Sequence, residues 1–274
     1  MKNLVKKILI MTLFFGALIS CDKDDESISE GHGAVKVKLT DDPFPFDFVA
    51  EANIGVAKVE LQNTSGEYTT VFEGSTNFNM VGLTNGTTQT VATAELEPGT
   101  YNQVRVTLNA ASVELSNGTS YDMNADAQGS YTVSISPALV IEEGDTSEFL
   151  LDLDINDSFT FQGIWIGQWV STIADITGCN FSADFRACDL DQTGEIEGSV
   201  TVSGSGAVAN AYVTIHVNGE EIATQTEADG SFTFIGIPEG TYTVEVETEV
   251  SGSAQVNNVQ VNGTGTATCN VTIN

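Results

Sequence analysis

From Ala34 to the C-terminus no stretch of 11 or more residues carries a helical apolar stripe, whereas alternation of period two is frequent. In Thr241-Tyr242-Thr243-Val244-Glu245-Val246-Glu247, the residues Tyr242, Val244 and Val246 fall on one face and threonine or glutamate on the other. Val104, Val106 and Leu108 alternate with Arg105 and Thr107 in the same way. Successive side chains of a strand point to opposite faces, so this pattern predicts strands with one face in a core and one in water. Asn85-Gly86, Asn117-Gly118, Asn218-Gly219 and Asn262-Gly263 are read as hairpin turns, because both residue types tolerate positive φ. Asn85-Gly86-Thr87 also has the form of a glycosylation sequon, but the turn reading is preferred. Short strands between frequent turns predict an all-β chain built of β-sandwiches.

The balance of charge narrows what such a chain can bind. Among 274 residues, 38 are acidic and 9 basic, a net charge of −29, yet 41% are hydrophobic, so most of the chain is expected to fold. No basic stripe offsets the negative field, which excludes nucleic acid as a partner. Two histidines and four cysteines leave little material for catalysis or zinc binding.

The N-terminus reads as an address. Lys2, Lys6 and Lys7 precede an apolar run that ends at Leu18-Ile19-Ser20-Cys21, the form of a secretory signal. The apolar stretch Ile8–Ile19 is 12 residues, short of the roughly 20 that span a bilayer as a helix. Leu-Ile-Ser-Cys resembles a bacterial lipobox, which implies cleavage after residue 20 and lipidation of Cys21. Losing residues 1–20 removes three lysines and no acid, so the mature chain carries 6 basic and 38 acidic residues. Several acyl chains, at about 0.8 kcal/mol per buried CH₂, would then anchor it to a membrane. The following Asp22-Lys23-Asp24-Asp25-Glu26 resembles the Lys-then-acidic signal that sends lipoproteins to the outer face of an outer membrane. A solvated tether explains the same residues, and a periplasm-facing lipoprotein is the alternative to surface display.

The expected layout is a signal peptide (1–20), an acidic tether (21–32), a first sandwich (33–175), a linker (176–192) and a second sandwich (193–274) of about seven strands. Residues 191–274 contain eleven acidic side chains and no lysine or arginine. Gly194-Glu195-Ile196-Glu197-Gly198, Ala209-Asn210-Ala211-Tyr212-Val213, Asp229-Gly230-Ser231-Phe232-Thr233-Phe234 and Ile237-Pro238-Glu239-Gly240-Thr241-Tyr242 occur there in order. This series resembles the carboxypeptidase regulatory-like domain, a small sandwich of the transthyretin and starch-binding type, and implies a module without catalytic residues. Here Asp229-Gly230 is read as a hairpin turn, with Phe232 and Phe234 on one strand face. In the first sandwich, Leu39-Thr40-Asp41-Asp42-Pro43, Leu96-Glu97-Pro98-Gly99-Thr100-Tyr101-Asn102-Gln103 and Leu150-Leu151-Asp152-Leu153-Asp154-Ile155 resemble a bacterial lipoprotein domain of unknown function. The segment Gly163–Trp169 departs from that pattern. The resemblance implies a lipid-anchored sandwich suspected of adhesion or glycan contact.

Four clusters invite a chemical reading. Asp152, Asp154 and Asn156 alternate on a strand and could offer oxygen ligands to Ca²⁺, but neither this register nor Asp189–Gly194 completes an EF-hand, so solvated acidic faces or turn caps are expected and no metal is assigned. In Phe159–Trp169, read as one strand, Trp165 and Trp169 would lie about 13 Å apart on one face, over a glycine gap suited to a sugar ring. A core strand with bulges at the glycines is the competing reading. Cys179 and Cys188 flank a short loop and are candidates for a disulfide, leaving Cys269 as a buried thiol; a Cys₃ metal site lacks a nearby histidine. His32 falls in the tether and His216 inside a strand, with no oriented nucleophile beside either, so no catalytic residue and no cofactor is assigned. Paired carboxylates of a glycosidase would be unusual on a sandwich of this size.

The expected function is a non-catalytic, lipid-anchored surface binding or adhesion module, with a glycan as candidate ligand. The alternative is a structural component of an envelope or nutrient-uptake complex, held by contacts with an envelope protein.

Overall fold

A computed structural model describes residues 28–45, 47–163, 165–166, 169–170, 173–248 and 251–274. The signal segment and the lipidation candidate Cys21 lie outside the described residues. The chain is all-β and sandwich-like, and its buried apolar side chains form two separate clusters, one in each of two lobes.

The N-terminal lobe holds β1 (Gly33–Asp42), β2 (Val49–Asn63), β3 (Tyr68–Asn79), β4 (Gln89–Leu96), β5 (Gly99–Leu115), β6 (Ser120–Asp122), β7 (Gly129–Ile141) and β8 (Thr146–Asp154). It continues with β9 (Phe159–Gln162), β10 (Trp165–Ile166), β11 (Trp169–Val170), β12 (Gly178–Phe181) and β13 (Phe185–Asp189). Two single-turn helices interrupt it, α1 (Asn124–Ala127) and α2 (Ile155–Ser158). The main sheet runs β3-β2-β5-β7-β13-β8-β1-β4, with β6 attached to β5. Val104, Val106 and Leu108 are buried, as their alternation predicts, beside Phe78, Phe149 and Phe159.

Residues 176–192, expected to be a linker, contain β12 and β13. β13 sits inside the main sheet, antiparallel to β8 over five residue pairs and parallel to β7 at Ala187–Ile135. The composition of Phe185-Arg186-Ala187-Cys188-Asp189 gives little strand signal; its partners are distant in sequence and supply the pairing. This placement also corrects the disulfide expectation. Cys179 lies in β12 opposite Phe161 of β9, Cys188 lies in the main sheet opposite Leu150, and both are free thiols, as is Cys269.

The C-terminal lobe holds β14 (Gly194–Val202), β15 (Gly206–Ala207), β16 (Tyr212–Val217), β17 (Glu220–Gln225), β18 (Ser231–Ile237), β19 (Gly240–Thr248), β20 (Gly252–Val261) and β21 (Thr266–Ile273). One sheet places β14 between β18 and β21, with the two-residue β15 also on β14; the other runs β17-β16-β19-β20. Phe232 and Phe234 are both buried, with ring centroids 6.0 Å apart. Asn218-Gly219, with φ of 54° and 93°, makes the two-residue turn between β16 and β17. Asn262-Gly263 joins strands of different sheets, and so does Asp229-Gly230, so neither closes a hairpin within one sheet. In each lobe a tyrosine after Gly-Thr bonds back to the chain four residues upstream: Tyr101 Oη donates to the Glu97 carbonyl at 3.0 Å, Tyr242 Oη to the Pro238 carbonyl at 2.7 Å. Such corners pin the start of a sandwich strand.

Candidate functional site

The two lobes meet along a polar seam. Arg186 of β13 donates from Nη1 to the Gly236 carbonyl at 2.7 Å, and from Nη2 to the Ile235 carbonyl and to the Asp152 carboxylate. Gly236 has φ +68°, and a Cβ there would lie 2.8 Å from both Cys188 Sγ and Leu150 Cδ2, so glycine is what lets the two backbones approach. Gln225 Nε2 donates to the Phe44 carbonyl at 2.8 Å. Asn85 Oδ1 accepts the Thr233 N–H at 2.6 Å, while its Nδ2 donates to Glu227 Oε1 at 3.1 Å. The Asn85-Gly86 turn, with φ of 57° and 75°, is therefore a contact between lobes rather than a hairpin; β3 and β4 do not pair.

The Leu39–Pro43 motif ends at this seam. β1 runs parallel to β8 in a register that sets Thr40 opposite Asp152 and Asp42 opposite Asp154. Asp152, expected on a solvated face, is buried against Arg186 because the second lobe covers that end of the sheet. Asp154 caps α2 by accepting the Asp157 N–H at 2.8 Å, and burial pushes its carboxyl up to about 7. Burial, reinforced by the neighbouring carboxylates, also holds Asp41 and Asp42 well above the usual range, while the Ala223 N–H across the seam bonds Asp42. Asp189 is a turn cap as expected, accepting the Asp191 N–H at 2.9 Å. No group of three or more His, Cys, Asp or Glu among the described residues is placed to hold a metal ion.

Beside the seam the lobes enclose a cleft of about 1010 Å³. Its N-terminal wall is Pro45, Asn156, Asp157 and the strand Phe159–Phe161. The facing wall is the outer side of the β16-β19-β20 sheet, with Tyr212, Thr214, Glu245, Glu247 and Gln255; Asn210 and Glu221 lie at its border. Alternation builds this wall: Val213, Ile215 and Val217 turn into the core, which leaves Tyr212 and Thr214 facing out. Burial first, then the nearby carboxylates of Glu221, Asp154, Asp42 and Asp157, raises the Tyr212 phenol, so it stays a neutral hydrogen-bonding group. The lining carries hydroxyls, amides and four carboxylates, and no lysine, arginine, histidine or cysteine.

The expected tryptophan strand is not continuous. β10 and β11 form a separate antiparallel pair after β9, with Trp165 across from Val170 and Ile166 across from Trp169, so the two tryptophans do not share one row of a single strand. Phe159 and Phe161, from the same stretch, are buried, packing on Phe181 and on Phe44 and Phe48. His216 is exposed, 3.9 Å from Glu221. The cleft was not legible in sequence, because its walls come from two lobes and only the seam sets them opposite each other.

Comparison with known families fits this two-lobed layout. Residues 32–166 match the family model described as a domain of unknown function, DUF4382, and residues 195–274 match that of the carboxypeptidase regulatory-like domain. The chain thus carries the first domain N-terminally and the second C-terminally. No curated protein matches it. Similar solved structures include the Bacillus anthracis TIE protein, at 9% identity and a TM-score of 0.26 over 82% of this chain. The chain spans about a third, 34%, of that protein's length. BcpA, the major pilin subunit of Bacillus cereus, aligns at 11% identity and a TM-score of 0.22, covering 89% of this chain and 99% of the pilin. The group B streptococcus pilus 2b backbone protein aligns at 14% and 0.24, covering 91% and 95%.

Proposed function

We propose that this chain is a non-catalytic binding module, tethered to a bacterial outer surface through lipid on Cys21, that takes an uncharged or amino-bearing glycan in the cleft between its lobes. The observation that carries this reading is the cleft itself: about 1010 Å³ lined by hydroxyls, amides and carboxylates around the Tyr212 ring. Its volume is in the range of small-ligand sites. Sugar hydroxyls both donate and accept, which suits a wall made of Thr160, Asn210, Thr214 and Gln255. Asp157, Glu221, Glu245 and Glu247, with no base among the lining residues, would repel sulfated and uronic sugars. The four carboxylates of the lining are read as hydrogen-bond acceptors for sugar hydroxyls. Trp165 and Trp169 follow the cleft strand β9 in the chain and are the aromatic candidates for its rim.

Glycan-array screening of the purified protein tests the reading. Binding should be confined to neutral or amino sugars, and Tyr212→Ala or the pair Trp165→Ala and Trp169→Ala should weaken it about tenfold or more, some 1.4 kcal/mol. Silence on every sugar class, with envelope proteins co-purifying instead, would favour the structural-component reading. For the anchor, labelled palmitate should enter the wild-type protein and fail to enter Cys21→Ala.

A further inference from the structure

The seam holds more acid than base in a closed space. Asp41, Asp42 and Asp152 are 4%, 6% and 3% exposed, and Arg186 is the one basic residue lining the cavity of about 20 Å³ that they share with Thr224 of the other lobe. Asp41 Oδ2, Asp152 Oδ1, Arg186 Nε and Thr224 Oγ1 are all buried there without a hydrogen-bond partner. One guanidinium balances one carboxylate, and Arg186 is bonded to Asp152. A second and third buried charge would be uncompensated, and a buried acid in that position takes a proton instead. No three acidic, histidine or cysteine side chains among the described residues are placed to share a metal ion, which leaves the proton as the neutralising species.

We propose that Asp41, Asp42, Asp152 and Arg186 form a charge-gated latch that holds the two lobes together while the cluster is neutral and releases the C-terminal lobe when Asp41 and Asp42 both become charged. The surroundings make the gate one-sided. β8 presents Asp152 and Asp154, α2 presents Asp157, and across the seam β16 and β17 present Tyr212 and Glu221; against these β13 offers only Arg186, with the Cys188 thiol beside it. Both acids are held above their ordinary range when docked, so the docked state binds more protons than the separated one. Docking is therefore strongest at or below the ordinary carboxylate pH and weakens as pH rises toward the docked values. The Ala223 N–H by itself favours the charged form of Asp42, as does Arg186, but burial and the neighbouring carboxylates outweigh them.

Small-angle scattering of the purified, ligand-free protein between pH 6 and pH 9 tests this, and reads lobe docking whether or not the cleft binds a glycan. Ordinary surface carboxylates are already ionised across that window. The wild type should extend in maximum dimension as pH rises, and the double variant Asp41→Asn, Asp42→Asn should stay compact throughout. A wild-type dimension that does not change, or a double variant that extends with it, overturns the latch. Should the double variant fail to fold by circular dichroism, hydrogen exchange on the wild type decides. Protection of the Ala223 and Gly236 amides, corrected for intrinsic rates, should fall with pH in this window; constant protection overturns the proposal.

Discussion

Truncating Arg186 would leave Asp152 buried with no countercharge and leave the Gly236 carbonyl without its donor. Breaking one side of a buried pair costs about 3–5 kcal/mol, so Arg186→Ala should lower unfolding free energy by that order in denaturant titrations. Replacing both partners by apolar residues, Arg186→Met with Asp152→Leu, should be clearly milder than the sum of the single changes. Glu60 gives the opposite pH response to the seam acids. Its carboxylate bonds Arg105 at 2.7 Å and Lys58 at 2.9 Å, and the Arg105 hydrogen bond, with Lys58 assisting, lowers it from 4.5 to about 2. Because the folded value is depressed, the stabilisation is complete above 4.5 and is lost as pH falls from there toward 2. Acid unfolding of Glu60→Gln should therefore be flatter than that of wild type inside that window. Equal slopes would show that the pair adds nothing in water.

Strands with their own alternation were legible: Val104–Leu108, Phe232–Phe234 and Tyr242–Val246 all lie where period two puts them, and both Gly-Thr-Tyr phrases mark corners. Each corner hydroxyl makes one neutral hydrogen bond, so Tyr101→Phe and Tyr242→Phe should each cost about 1 kcal/mol of stability, measured by denaturant midpoint at unchanged slope. β13 was missed because five short residues carry no pattern of their own; the strand exists through β7 and β8. Proline has no N–H for such a ladder. Ala187→Pro should therefore abolish the cooperative unfolding of the N-terminal lobe, although residues 176–192 read in sequence as a tolerant linker. Alternation also tells which residues share a face but not what covers it. That is why Asp152 read as solvated when a second lobe buries it, and why the cleft could not be read from either lobe alone.

Across the whole molecule, charge is distributed so that repulsion outruns pairing. The five basic side chains among the described residues, Lys36, Lys38, Lys58, Arg105 and Arg186, are all in ion pairs, and those pairs engage only Glu148, Glu60 and Asp152. The C-terminal lobe has no lysine or arginine with which to make one. With 38 acids against 9 bases, most carboxylates face other carboxylates through water, and each such interaction is screened once the Debye length falls to about 10 Å at 0.1 M salt. The partly exposed pairs at Glu148 and Glu60 weaken in salt as well, but exposed pairs contribute only about 0–1 kcal/mol each, and the buried Asp152–Arg186 pair is screened far less. Repulsion relieved should outweigh attraction lost. Thermal unfolding in dilute buffer should therefore shift upward when sodium chloride is raised to physiological strength, by about 2–4 °C for each kcal/mol of repulsion removed in a chain of this size. The same titration on Arg186→Ala should show a rise of similar slope from a lower starting midpoint, since the acid it leaves unpaired is buried where salt screens little. A midpoint that falls with salt would mean that the few ion pairs, rather than the diffuse acidic field, set the stability of this protein.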